Sequence, residues 1–253
     1  MGISERQCRI IALLGNQDYV TVEELSRDLQ VSKVTVRSDL ADMENRGLIF
    51  RTHGGAMIAE HKASSRRVEN TLNELESEKK GIAKAAASLL RNDQTVIIDC
   101  GSTTVNLAGF LKGKHITLVT NSLLAIEAVK DDDSVEVVSI GGNFRRFSMG
   151  FLGPLATSAF SQIHADFLFL GATGYTEEQI SCSNLIEAEV KQTMLRVADV
   201  VCFMADSSKF GKKSFATVAS WNDIDVFVTD RINPVFRKKL EDKGIEVILA
   251  DLD

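Results

Sequence analysis

The sequence predicts an α/β protein in two parts: a small helical module closed by a hairpin, then a larger domain built on a mainly parallel sheet. Three observations predict it. Apolar residues recur at helical spacing as far as Met43, an alternating segment around Gly54-Gly55 follows, and from Lys79 onward buried strands alternate with helices. Continuous apolar strands separated by helices are the pattern of a parallel sheet covered on both faces.

The first part is justified element by element. Arg6, Ile10 and Leu14 recur at four-residue spacing and give a first helix an apolar stripe. Thr21 precedes V-E-E, with Glu24 three residues on, as a capping box requires. Val22, Leu25 and Leu29 make the second stripe. Ser32 caps a third helix in which Val36, Leu40 and Met43 face inward, leaving Lys33, Thr35, Arg37 and Ser38 outward. Arg46-Gly47 ends that helix, and L-I-F-R-T-H-G-G-A-M-I reads as a hairpin or wing carrying Arg51 and His53. Two helices across a tight polar turn suit a helix-turn-helix, whose second helix enters the major groove by its N-terminal part. Residues 1–58 therefore read as a winged helix-turn-helix domain that binds double-stranded DNA. Thr21, Ser32, Lys33, Thr35, Arg37, Ser38, Arg51 and His53 are its candidate contacts. Seven cations face eight acids in this stretch, so the module is not basic overall. Distribution matters more: five acids precede the third helix, while Lys33, Arg37 and Arg51 cluster on its outer side.

Composition bounds the rest. The chain has 253 residues, 44% of them hydrophobic, enough for one small and one medium domain with a real core. No apolar run of about eighteen residues predicts a membrane span. M-G-I-S-E-R lacks the layout of a secretory signal, so a cytoplasmic protein is expected. Cys8, Cys100, Cys182 and Cys202 are scattered, with no C-x-x-C pair, and read as reduced, mostly buried thiols. No metal or cofactor is expected. The net charge of −6 argues against general coating of polyanions and for local, specific DNA binding.

Residues 59–78 are polar and read as a linker leading into helix; residues 79–253 form the second domain. Its strands are T-V-I-I-D-C, I-T-L-V-T, V-E-V-V-S-I-G-G, D-F-L-F-L-G-A, V-V-C-F-M-A-D, D-V-F-V-T-D and E-V-I-L-A-D. Their carboxyl ends carry Asp99, Thr120-Asn121, Gly141-Gly142, Gly171, Asp206 and Asp230, and ligands of open parallel sheets bind just beyond such ends. The best candidate is D-C-G-S-T-T. Gly101 allows a sharp turn, and Ser102, Thr103 and Thr104 supply hydroxyls and N–H groups where a helix begins, a setting suited to phosphate. An ordinary strand-to-helix turn with caps has the same sequence.

Arg6-x3-Ile10-x3-Leu14, seventeen residues, then S-K-V-T-V-R-S-D-L resembles the signature of the DeoR family of bacterial regulators, and R-T-H-G-G-A resembles its wing. Ser38 departs from the basic residue usual after the Arg. T-N-S at 120–122, G-A-T-G at 171–174, Glu187-x3-Lys191 and D-S-S-K-F-G at 206–211 resemble the family's sensor half, so the likeness covers nearly the whole chain. That resemblance implies a sensor fold of the sugar-phosphate isomerase and CoA-transferase type and a phosphorylated sugar as effector. It implies that Asp99 and Gly101 to Thr104 hold the effector, with Asn121, Gly142, Lys191, Asp206 and Lys209 completing the pocket; Arg66 or Arg67 matches a linker arginine of the family. It also implies a homo-oligomer, dimer or tetramer, that represses a sugar or carbohydrate catabolic operon until the effector binds. The alternative is a sugar-phosphate isomerase-like enzyme with an accessory winged helix, in which Asp206 or Glu187 would be the base. D-C-G-S-T also resembles the first phosphate loop of actin-like sugar kinases. The second such loop and a Cys-rich zinc motif are missing from the sequence, so that reading fails.

Overall fold

A computed structural model of the chain describes residues 4–16, 20–45, 48–51, 54–58 and 68–252. It divides into two compact units, Met1–Ser65 and Arg66–Asp253.

The first unit follows the predicted stripes. Helix α1 (Glu5–Asn16) is followed by β1 (Val20–Thr21), α2 (Val22–Asp28) and α3 (Lys33–Asn45), then by β2 (Ile49–Arg51) and β3 (Gly55–Ile58). Ile10, Leu14, Leu25, Val36, Leu40 and Met43 are buried in one core. The capping box is present: Thr21 Oγ1 accepts from Glu24 N at 3.1 Å, and Thr21 N donates to Glu24 Oε2 at 2.8 Å. Ser32 Oγ accepts from Thr35 N at 3.1 Å and so starts α3. The wing pairs antiparallel, with Ile49 opposite Ile58 and Arg51 opposite Ala56, and β1 joins the far side of β3. Its tip at 52–53 and the Arg46-Gly47 helix end lie outside the described residues. One expectation is corrected. Arg6 is not part of an apolar stripe; its Nε and Nη2 donate to Asp39 Oδ2 and Oδ1 at 2.5 and 2.9 Å, which ties α1 to α3.

The second unit opens on α4 (Val68–Leu72) and α5 (Glu76–Ala87). The stretch 68–78, expected as linker, is therefore folded: Val68 is buried, and its N–H donates to the Phe147 carbonyl at 2.7 Å. Leu75, with φ of +51°, precedes α5 and starts it three residues earlier than the apolar period implies. Then come β4 (Gln94–Ile98), α6 (Val105–Ala108), β5 (Ile116–Thr120), α7 (Leu123–Val129), β6 (Val135–Ser139), β7 (Asn143–Arg145), β8 (Gly150–Leu152), α8 (Pro154–Phe160) and β9 (Ala165–Leu170). The chain continues through β10 (Gly174–Tyr175), β11 (Gln179–Cys182), α9 (Leu185–Arg196), β12 (Ala198–Met204), β13 (Ala216–Ser220), β14 (Val226–Thr229), α10 (Pro234–Glu241) and β15 (Glu246–Leu249).

All seven strands expected from the sequence join one parallel sheet, in the order β15-β14-β12-β9-β4-β5-β6. Alternate residues feed two apolar layers: Ile97 with Leu168 and Phe203 on one face, Val96 and Ile98 with Phe169 and Cys202 on the other. Two antiparallel pieces were not anticipated, the hairpin β7–β8 and the small sheet β10-β11-β13. The order matters for function. From β4 the chain winds outward through β5 and β6, then returns to the other side of β4 and proceeds through β9, β12, β14 and β15. The reversal lies between β4 and β9, and a crevice at such a reversal is where open α/β sheets take ligands.

Candidate functional site

In the first unit, α3 packs Val36, Asp39, Leu40 and Met43 inward. Ser32, Lys33, Val34, Arg37 and Ser38 are exposed, and Thr35 is half-buried with its hydroxyl 2.9 Å from that of Ser32. Lys33 is paired with Glu23 of α2. Arg51 stands on the wing, where its backbone N–H donates to Glu44 Oε1 at 3.2 Å. Among the described residues Arg37 has no hydrogen-bonding or ionic partner, which leaves its guanidinium available to an outside acceptor. Thr21 differs. It is a cap whose hydroxyl also donates to Glu24 Oε2 at 2.7 Å, so it has no proton to spare for phosphate. His53 lies outside the described residues, as do Arg66 and Arg67.

In the second unit, the expected residues divide into a tight cluster and outlying positions. Asp99 follows β4, and Lys191 projects from the second turn of α9; both side chains are almost fully buried, 1% and 2% exposed. The Lys191 ammonium donates to Asp99 Oδ2 and, at 3.1 Å, to the Gly171 carbonyl beyond β9. Gly171 N–H donates to the same Asp99 oxygen at 3.0 Å. Glu187 lies one turn before Lys191, 3.5 Å from its ammonium, and 3.5 Å from Arg145 of β7 on its other oxygen. Burial works against the Lys191 charge, yet the fields of Asp99 and Glu187 outweigh it and hold the pKa above the ordinary lysine value. Asp99 Oδ1 is buried and accepts no hydrogen bond from the described residues.

The loop after β4 closes on this cluster. Gly101 packs on Gly171, and a side chain added at Gly101 would meet Thr104 Oγ1 at 3.0 Å. Thr104 Oγ1 has two acceptors for its one proton within the loop, Asp99 O at 2.7 Å and Gly101 O at 2.9 Å, and itself accepts from Gly101 N at 3.0 Å. Its hydroxyl is thus spent on the turn. Thr103 is buried and Ser102 half-buried, and the N–H groups of Ser102, Thr103 and Thr104 have no acceptor among the described residues. Asn121, beyond β5, is buried; its amide donates to Phe151 O at 2.9 Å while its Oδ1 is left without a donor. Gly142 touches Leu152 and Ala156 instead of the cluster, and with φ of +152° a side chain there would meet Leu152 O at 2.6 Å. Its described role is close packing of the β7–β8 hairpin.

Asp206 and Lys209 lie past β12, one strand beyond β9. Asp206 is buried and caps the 3-10 turn Ser207–Lys209, with Oδ2 unpartnered among the described residues. A cleft of about 210 Å³ opens beside this turn, lined by Tyr175, Ser207, Phe210, Arg231 and Phe236 among others. Lys79 of α5 was missed by sequence reading. It is 2% exposed, its ammonium donates to the carbonyls of Thr71 and Glu74, and burial lowers its pKa, opposed by Asp206 and reinforced by Lys209. Its sequence signal was a cation in register with Ile82, Ala83 and Ala86 on an apolar face. Arg145 was missed as well, inside G-G-N-F-R-R-F.

At the sheet reversal the structure thus gathers the Lys191 ammonium, the Asp99 and Glu187 carboxylates and backbone N–H groups with no acceptor among the described residues. Among the described residues no group of acids, histidines and cysteines could hold a metal, and no helix is long and apolar enough to cross a membrane. Two family models match two successive parts of the chain. Residues 6–62 match the DeoR-like helix-turn-helix domain, and residues 74–231 match the DeoR C-terminal sensor domain. The HTH-type transcriptional regulator GolR of Listeria innocua is 35% identical over 98% of both chains. The HTH-type transcriptional repressor GlcR of Bacillus subtilis is 30% identical over 98% of this chain and 97% of its own. Among solved structures, ribose 5-phosphate isomerase A of Methanocaldococcus jannaschii is similar over 55% of this chain and 56% of its own, at 16% identity and a TM-score of 0.40. The chain belongs to the DeoR family of helix-turn-helix transcriptional regulators.

Proposed function

We propose that this regulator is a cytoplasmic homo-oligomer that represses a sugar or carbohydrate catabolic operon and releases its operator when a phosphorylated sugar enters the second unit. The observation that carries the effector reading is the loop Gly101–Thr104 at the sheet reversal. Its three consecutive acceptor-free N–H groups stand beside the Asp99–Lys191 pair. A phosphate seated on the N–H groups of 102–104 would satisfy them, and Arg145, held to Glu187 only at 3.5 Å, can turn to share its charge. Asp99 Oδ1, Asn121 Oδ1 and Asp206 Oδ2 are buried acceptors suited to sugar hydroxyls. Thr104 shapes the phosphate loop in this reading, Gly142 acts only by packing the hairpin on which Asn121 rests, and Lys209 flanks the pocket.

Ligand can alter DNA binding only by favouring one arrangement of the protein over another. The segment 68–75 supplies a route. It is held at its start by Val68 N–H on Phe147 O and at its end by Lys79 on two carbonyls, and it follows directly on the stretch that leads from the first unit. Lys79 feels the charges of Asp206 and Lys209, so an anion bound there changes what holds the segment. Two-fold pairing would set two α3 helices about one turn of DNA apart, or a multiple of it.

A thermal-shift screen against sugar phosphates and their unphosphorylated parents tests the effector class. A true effector at a hundredfold excess over its Kd adds about 2.7 kcal/mol to stability. A response to the parents equal to that of the phosphates would remove the phosphate loop from the account.

A further inference from the structure

The outer face of α3 carries an apolar side chain that the DNA-facing set does not use. Val34 is 74% exposed, the highest value among the large apolar residues described in the chain, and among the described side chains of residues 4–58 no other large apolar one is exposed. At roughly 100° per residue, Val34 projects between Arg37 and Ser38 and almost opposite the seam of Val36, Leu40 and Met43. It lies in the first turn, the part of a recognition helix that meets base edges. A single exposed apolar side chain is ordinary on a protein surface; what distinguishes Val34 is its place, in the first turn of α3 and on the face that carries the exposed Lys33, Arg37 and Ser38. Nearby side chains do not cover it: Lys33 is drawn toward Glu23 and Thr35 toward Ser32.

The major groove offers one apolar base-edge group, the 5-methyl of thymine. We infer that Val34 is a specificity-determining residue that packs on a thymine methyl at the centre of each half-site, flanked by the polar contacts of Arg37 and Ser38. The inference rests on the DNA-binding reading of α3 and adds what that reading leaves open, a base identity at one position. Burial of one methyl against another is worth about fourfold in affinity, the weight of one buried methylene.

The test begins by enriching duplexes from a random-sequence pool with the full chain. Each thymine of the enriched duplex is then replaced by deoxyuridine, which removes the methyl and no hydrogen-bonding group. The wild-type chain should lose about fourfold at one thymine per half-site. Val34→Ala should bind the parent duplex about fourfold more weakly and lose its sensitivity to that one replacement. Its thermal midpoint should not fall, because the side chain is exposed and alanine is the better helix former. A Val34→Ala profile identical to wild type, or a wild-type chain indifferent to every thymine methyl, would overturn the assignment. A pool from which no sequence is enriched would overturn the DNA-binding reading and the inference with it.

Discussion

Lys191 and Asp99 lie 92 positions apart in sequence, yet the ammonium of one rests on the carboxylate of the other with both almost removed from solvent. Two buried charges are tolerable only as a pair, and removal of one leaves the other uncompensated at a cost of about 3–5 kcal/mol. Lys191→Met should therefore lower unfolding free energy by about that amount in a urea titration. Adding Asp99→Asn should recover part of the loss. A Lys191→Met protein as stable as wild type would mean the pair is open to water.

Arg37 has no described partner to lose. Arg37→Ala should leave the urea midpoint unchanged and weaken operator binding about five- to 150-fold, since a good bidentate base contact is worth about 1–3 kcal/mol. Equal affinity in fluorescence anisotropy would take Arg37 out of the interface.

Lys79 is expected to couple effector to DNA without contacting either. Lys79→Met should keep operator affinity and keep the effector's thermal shift, while the change in operator affinity on adding effector shrinks from about five- to 150-fold toward none. Retention of the full response would place the route elsewhere.

Acid should act on the first unit through its capping box. Hydrogen bonds from Thr21 hold the Glu24 carboxyl below the ordinary value, about 4.3 for glutamate. A depressed folded pKa means the contribution is complete above the ordinary value and is lost as pH falls through the lower, folded one. Hydrogen-exchange protection of α2 amides, corrected for intrinsic rates, should fall as pH drops below the ordinary glutamate value of about 4.3. Glu24→Gln should have lower protection throughout and a flatter acid limb.

Much of the fold was legible because its signals are local. Five of the seven parallel strands hold three or more consecutive apolar residues, β5 and β6 being interrupted by Thr117 and Glu136, and the stripes of α1, α2 and α3 sit at fixed spacings. The pieces that escaped depend on distant partners. Gly174–Tyr175 is a two-residue strand made by pairing with Ser181 and Ile180, and the β7–β8 hairpin turns through a Met149 with φ of +49°. The site divides in the same way. Asp99 and Gly101–Thr104 announce themselves at a strand end, whereas the bond between Lys191 and Asp99 exists only after α9 crosses the sheet reversal. Lys79 and Val34 each break a local pattern, a cation on an apolar face and a valine on a polar one, whereas Arg145 in G-G-N-F-R-R-F breaks none.

The most direct test of the account is operator release. With the full chain bound to its enriched duplex, phosphorylated sugars and their unphosphorylated parents are titrated while anisotropy reports the bound fraction. The account predicts that one phosphorylated sugar lowers operator affinity by about five- to 150-fold, that its parent does not, and that Ser102→Asp abolishes the effect while operator binding persists. Operator affinity indifferent to every phosphorylated sugar, or a Ser102→Asp protein that responds like wild type, would contradict it.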